Sequence, residues 1–357
     1  MKQTKKNPDI EESSLAADSM VGADDAAGLP ARLNRYSMAH HRALDMAHYA
    51  RNEGEVKISQ QLDQCGAHLL FRDYYTVGKV KLKAANFCRR HLLCPLCAIR
   101  RGAKALQIYL AKLEELKKQN PNLKAYMITL TVKDGSDLQE RFEHLHRSVQ
   151  KLHKYRHIDR GYQVAKSSAA VWSYEFKRGK NSGDWHPHVH AVWLCEEAPD
   201  YLKLRKEWQH ITKDSKVVHV QPFYEQDDLI NGFLEVFKYA VKFSDLPLED
   251  NWHGFQVLKG RRLISSFGDF YGLEMPDDLT DDQLEDQPFV EMLFRFVLGV
   301  GYNFERFIQG GTESVQISKI IRQKQINEGS NKIDWHARIK ERGITTWELL
   351  HLNHRNP

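Results

Sequence analysis

Two short runs rich in β-branched and aromatic residues, 170–176 (AVWSYEF) and 188–194 (HVHAVWL), are separated by a connection containing Gly, Asn and Ser. Runs of that composition on either side of turn residues pair as an antiparallel hairpin, which commits this part of the chain to a sheet. Residues 125–132 (AYMITLTV) alternate Tyr126, Ile128, Leu130 and Val132 with Met127, Thr129 and Thr131, the two-residue period of another strand. A helix follows, with Leu138, Phe142, Leu145, Val149 and Leu152 at helical spacing. Next come a helix at 200–212, a strand at 216–223 and a helix from about 227 to 243. Strand, helix, hairpin, helix, strand, helix is the order of an α+β domain: an antiparallel sheet flanked by helices.

The chain has 357 residues, 41% of them hydrophobic and 28% charged, enough apolar material for one large domain or two ordinary ones. No apolar run reaches 18 residues, which excludes a membrane-spanning helix as the organising element. Residues 1–30 are polar, rich in Asp, Ala, Ser and Gly, and read as a disordered leader without the apolar stretch of a signal peptide, so a cytoplasmic location is expected. Residues 31–120 read as a metal-braced, basic module running into a helix on which Leu106, Tyr109, Leu110, Leu113 and Leu116 share a face. Residues 121–272 hold the sheet, and residues 273–357 form an acidic segment and a helical C-terminal tail. There is no fixed-period repeat and no phosphate-cradling GxxxxGK[ST] loop, so ATP hydrolysis is not expected.

Five cysteines are too few for a disulfide scaffold of this length, and in a reducing compartment clustered cysteines more often hold metal. Cys88, Cys94 and Cys97 fall within ten residues, and the CPLC turn has the spacing of a zinc knuckle. Cys65 is the fourth ligand of choice for a closed, structural Zn²⁺ site, with His91 or His68 as alternatives, whereas Cys195 reads as a core thiol. Between Lys79 and Lys118 eleven Lys and Arg face only Glu114 and Glu115, a local balance of +9; between Leu263 and Phe294 there are nine Asp and Glu and no Lys or Arg. The basic block suits a polyanion, and Arg89, Arg90, Arg100 and Arg101 around the cysteines point to nucleic acid.

In His186-Pro187-His188-Val189-His190, strand periodicity puts His188 and His190 on one face, where two imidazoles can share a divalent metal. Glu175 on the preceding strand could supply a carboxylate as third ligand, with His186 competing for that place. In LEVFKYAVKF, Glu235, Tyr239 and Lys242 share one helix face while Leu229, Phe233, Val236, Phe237 and Ala240 form the apolar stripe. A phenol beside a cation can attack a phosphodiester, and a carboxylate can activate water. Mg²⁺ or Mn²⁺ is the expected catalytic metal at a mixed His/carboxylate site.

In this order, CRRHLLCPLCAIRR, ITLTV, HPHVH, EVFKYAVK and GRRLISSFGDF resemble the single-tyrosine plasmid rolling-circle replication initiators of the HUH endonuclease superfamily, over about 65–271. The resemblance implies a protein that recognises the plasmid double-strand origin, nicks one strand and stays attached through a 5′-phosphotyrosine, leaving a 3′-OH to prime synthesis. It makes His188 and His190 metal ligands, Tyr239 the nucleophile, Lys242 the neighbouring cation and Glu235 the acid that ends replication through hydrolysis. Host helicase and replication machinery are the implied partners. The alternatives are a non-catalytic zinc-ribbon regulator, a metal-dependent nuclease that uses water throughout, and a relaxase or transposase of the same superfamily, against which the zinc segment argues.

Overall fold

A computed structural model describes residues 24–223, 226–238, 242, 245–275 and 277–308. Its helices are α1 (Leu29–Asn52), α2 (Val56–Gln64), α3 (Pro95–Gln119), α4 (Leu138–Ile158), α5 (Tyr201–Thr212), α6 (Gln226–Phe237) and α7 (Leu248–Leu258). Its strands are β1 (His68–Tyr74), β2 (Lys79–Ala85), β3 (Lys124–Thr131), β4 (Ser167–Arg178), β5 (Trp185–Cys195), β6 (Val218–Pro222), β7 (Ile264–Gly268), β8 (Val290–Val297) and β9 (Gly301–Ile308). Contacts group these into two compact units, one of Arg42–Cys65 and Phe87–Leu279, the other of Asp24–His41, Gly66–Asn86 and the residues from Thr280 on. The division cuts across the consecutive stretches 31–120 and 273–357 read from the sequence.

The first unit is built on an antiparallel sheet in the order β6-β3-β5-β4-β7. Its mixed α+β character and antiparallel pairing are those expected from the sequence. Register does the positioning: His188 of β5 lies opposite Glu175 of β4 and Thr131 of β3, and His190 lies opposite Ser173 and Thr129. Directly paired residues point to the same side, so one face carries this polar group. Along the same face Ala169, Val171, Val192 and Leu194 continue as apolar surface, covered by Leu106, Tyr109 and Leu113 of α3 and Phe233 and Phe237 of α6. Each large side chain buried there contributes about 1.5–3 kcal/mol, which locks α6 beside the polar group.

The opposite face packs on α4, where Phe142 meets Tyr174 and Phe176 and His153 meets Trp172. Asp137 starts α4 by accepting a hydrogen bond from the Glu140 amide, and Asp200 caps α5 through the amides of Leu202 and Lys203. Trp208 of α5 donates its indole N–H to the Thr131 carbonyl at 2.8 Å. Gly268 ends β7 with φ +63, and a Cβ there would lie 1.8 Å from the Ser168 carbonyl oxygen, so only glycine lets β7 close onto β4.

The second unit contains a four-stranded antiparallel sheet, β2-β1-β8-β9. Buried Arg32 of α1 donates to the Tyr36 hydroxyl at 3.1 Å and to Asp281 at 2.6 Å. Two expectations are corrected here. Residues 290–308 form the hairpin β8-β9 instead of helical tail, and residues 309–357 lie outside the described residues. Residues 24–30 belong to the fold rather than to a disordered leader: Val80 donates to the Asp24 carbonyl, and Asp24 and Asp25 pair with Lys81 and Lys79. Residues 1–23 lie outside the described residues. No described helix is long and apolar enough to cross a membrane.

Candidate active site

On the polar face of the five-stranded sheet, Glu175 Oε2 lies 3.2 Å from His188 Nε2 and 3.5 Å from His190 Nε2. All three side chains are buried, at 3%, 2% and 0% exposure. The far ring nitrogens are held by the fold: His190 Nδ1 meets Thr129 Oγ1 at 3.2 Å, and His188 Nδ1 meets the His186 carbonyl at 3.4 Å. Such contacts orient metal-ligating histidines. Glu175 Oε1 is buried without a hydrogen-bond partner among the described residues. Two imidazoles and a carboxylate with an unused lone-pair oxygen form a donor set suited to a divalent cation. His186, the competing third ligand, turns instead to Asp134, its Nδ1 2.6 Å from Oδ1.

Lys242 reaches this group from beyond α6, with Nζ 2.9 Å from Glu175 Oε2 and 2.8 Å from Glu235 Oε2. Lys238 Nζ lies 3.5 Å from the other oxygen of Glu235. Burial alone would raise the Glu175 carboxyl, but Lys242, His190 and His188 outweigh it and hold the group well below the usual carboxylate range. Burial works the other way on Lys242, and Glu175 and Glu235 overcome it to keep the amine charged. The predicted cation therefore meets the predicted metal ligand directly, and the predicted acid joins them through the Lys242 ammonium. Tyr239 lies outside the described residues. Sequence reading passed over Lys238 and Thr129; the strand alternation that placed Thr129 on the histidine side was the available signal.

Cys65, Cys88, Cys94 and Cys97 form a second potential ligand group. Cys65 Sγ is 3.5 Å from both Cys94 Sγ and Cys97 Sγ, and Cys88 Sγ is 3.6 Å from Cys97 Sγ. Four thiolates at about 2.3 Å from one Zn²⁺ would stand about 3.8 Å apart, so the set closes on a tetrahedral ion with little adjustment. Neither His91 nor His68 belongs to the group. Burial, aided by Arg101, pushes the His91 imidazole down to about 4. Cys195 ends β5, buried, and burial pushes its thiol up to about 12. Of the arginines assigned to nucleic acid, Arg89 and Arg101 are exposed, while Arg90 donates to Gln61 at 2.6 Å. Arg100 is corrected: it is 5% exposed and its Nε donates to the Leu279 carbonyl at 2.7 Å, so it supports packing and offers no surface charge.

Residues 79–292 match the sequence model of a family described as "Replication protein". The chain belongs to this family. Among curated relatives, the replication protein resembles "Protein rep" of Lentilactobacillus hilgardii at 27% identity, over 63% of this chain and 77% of the relative. It resembles "Protein rep" of Bacillus amyloliquefaciens at 26%, over 64% and 75%, and that of Lactiplantibacillus plantarum at 27%, over 65% and 77%. No solved structure matches. The matched span of the replication protein includes Cys88, Cys94, Cys97, Glu175, His188, His190, Glu235 and Lys242, and begins after Cys65.

For the cysteine group, elemental analysis of the purified replication protein is expected to find about one zinc per chain. Cys94→Ser and Cys97→Ser should lose that zinc and soluble protein together, because structural zinc contributes directly to folding. A folded, zinc-free wild type would contradict this assignment. Unchanged zinc content in Cys65→Ser would move the fourth ligand elsewhere.

Proposed function

We propose that this replication protein is a plasmid initiator of the HUH type: it binds the double-strand origin, nicks one strand with Tyr239 as nucleophile, and so starts and ends rolling-circle replication. The observation that carries the reading is the convergence of Glu175, His188 and His190 with Lys242 and Glu235 at one buried point. The family and its Rep relatives agree with a role in replication. On this reading the protein works in the bacterial cytoplasm with a host helicase, and Cys65, Cys88, Cys94 and Cys97 hold a structural Zn²⁺.

Glu175, His188 and His190 would hold Mg²⁺ or Mn²⁺, which when bound supplies Lewis-acid polarisation of the scissile phosphate. In the nicking step the Tyr239 oxygen bonds to phosphorus while the bond to the 3′-oxygen breaks. The strand is left with a 3′-OH, and the 5′-phosphate with the tyrosine. Lys242, three residues after Tyr239 in the sequence, steadies the negative charge that develops in the step, and the buried setting strengthens that effect. Supercoiled plasmid bearing the origin should convert to open circle only when Mg²⁺ or Mn²⁺ is supplied. Binding without any conversion would favour a non-catalytic regulator.

After one turn of the circle Tyr239 is already esterified, so the second cut needs another nucleophile. Glu235 stands four residues before Tyr239 in the sequence and is held by Lys242 and Lys238, and a carboxylate there can take a proton from an attacking water. Glu235→Ala should therefore still nick and form the adduct but fail to terminate, giving multimeric single-stranded products on a gel. Unit-length circles released at the wild-type rate would remove Glu235 from this role.

A further inference from the structure

Helices α4 and α5 lie side by side on the sheet face away from Glu175. They run antiparallel: Arg141 and His144 near the start of α4 lie against Asp214 just beyond α5, and Gln163 beyond α4 accepts from the Asp200 amide at the start of α5. The inner side of α4 is apolar, with Phe142, Leu145, Val149 and Leu152 buried, and its outer side is cationic. There α4 presents Arg147, Lys151 and Lys154, and α5 presents Lys203, Lys206 and His210, with Lys213 after it, all exposed. At about 1.5 Å per residue, the spacings of four and three put the α4 cations in one row.

The nearby acids are already engaged. Asp214 pairs with Arg141 and His144, Glu143 with Arg261, and Glu140 with Arg141. Asp200 and Glu207 keep their charge and lie close enough to Lys203 to offset it, while Asp159, beyond the end of α4, accepts from the Gly161 amide. Lys151, Lys154, Lys206 and Lys213 make no ion pair among the described residues. Uncompensated cations in parallel rows on a rigid two-helix layer match a polyanion with regularly spaced charges.

We propose that the α4/α5 surface grips the phosphate backbone of duplex DNA, independently of sequence, on the side of the sheet away from the nicking centre. This rests on the reading that the protein acts on DNA. A surface of this kind would hold the duplex flanking the origin while one strand reaches Glu175, His188 and His190.

The test uses the full chain and a random-sequence duplex, with affinity measured between about 50 and 200 mM salt. Each lost phosphate contact lowers the slope of log affinity against log salt by about 0.9, so Lys151→Ala/Lys154→Ala/Lys206→Ala should flatten it by about 2.7. The ratio of wild-type to variant affinity should then shrink about 40-fold across that range. The Lys→Arg triple variant keeps the charge and should keep the wild-type slope, and melting temperatures show that all three proteins are folded. A steep wild-type slope left unchanged in the alanine variant overturns the proposal while leaving the nicking reading in place. A wild type that binds no duplex overturns both. Exposed Ile158, Tyr201 and Leu202 raise a lipid surface as the other polyanion. Binding of phosphatidylserine vesicles, lost in the alanine variant while duplex affinity is not, would assign the surface to membrane and overturn the proposal.

Discussion

Tyr239→Phe is expected to abolish the covalent protein–DNA adduct and to slow nicking of supercoiled origin plasmid by at least about 10³-fold, because the substitution deletes the attacking oxygen and nothing else. Duplex binding should stay within about twofold of wild type, less than ~0.5 kcal/mol, since one hydroxyl contributes little to an interface dominated by phosphate contacts. The two measurements together separate loss of chemistry from loss of binding. The chain has 14 tyrosines, so an adduct that survives in the Phe variant would move the nucleophile to another of them.

His188→Ala and His190→Ala come next in expected size. Each removes one of the three donors around the buried point, leaving Glu175 and a single imidazole. Lewis-acid help with phosphoryl transfer is worth several kcal/mol, so losing the ion's seat should cost about 10³-fold or more in nicking rate at any practical Mg²⁺ or Mn²⁺ concentration. The direct readout is thermal: Mn²⁺ should raise the melting temperature of the wild type and leave both variants unmoved. Full activity in both variants would reduce HPHVH to local packing on β5. His190 is the more severe test of folding, being 0% exposed and bonded to the Thr129 side chain. His188, whose far nitrogen meets only a backbone carbonyl, leaves no side chain unpaired there, so His188→Ala checks that a loss is chemical.

The candidate site was legible because its geometry is local. Strand alternation alone places His188 and His190 on one face, and a hairpin between the two β-rich runs brings Glu175 opposite His188. Helix spacing likewise aligned Glu235 with Lys242, and the CPLC turn announced the cysteine group. What escaped was non-local or apolar in an unfamiliar way. β1 pairs with β8 across more than two hundred residues, and β8 lies in an acidic stretch that masks its pattern. α1 buries Ala39, Ala43, Ala47 and Ala50, a stripe of small side chains that leaves little hydrophobic signal in a helix otherwise full of Arg and His. Arg100 shows the limit of charge counting: its neighbour Arg101 is exposed, but the helix turns Arg100 inward to the Leu279 carbonyl. Asp24 and Asp25 read as leader because their partners Lys81 and Lys79 are distant in sequence.

On the nicking reading the buried group of Glu175, His188 and His190 serves Tyr239 as nucleophile. The most direct test is to incubate the full chain with a single-stranded oligonucleotide carrying the origin nick site and Mn²⁺, digest with trypsin, and locate the DNA-linked residue by mass spectrometry. One adduct is expected, a 5′-phosphate ester on Tyr239, present with Mn²⁺ and absent with chelator. A cleaved oligonucleotide with no adduct, or an adduct on any other residue, would contradict it.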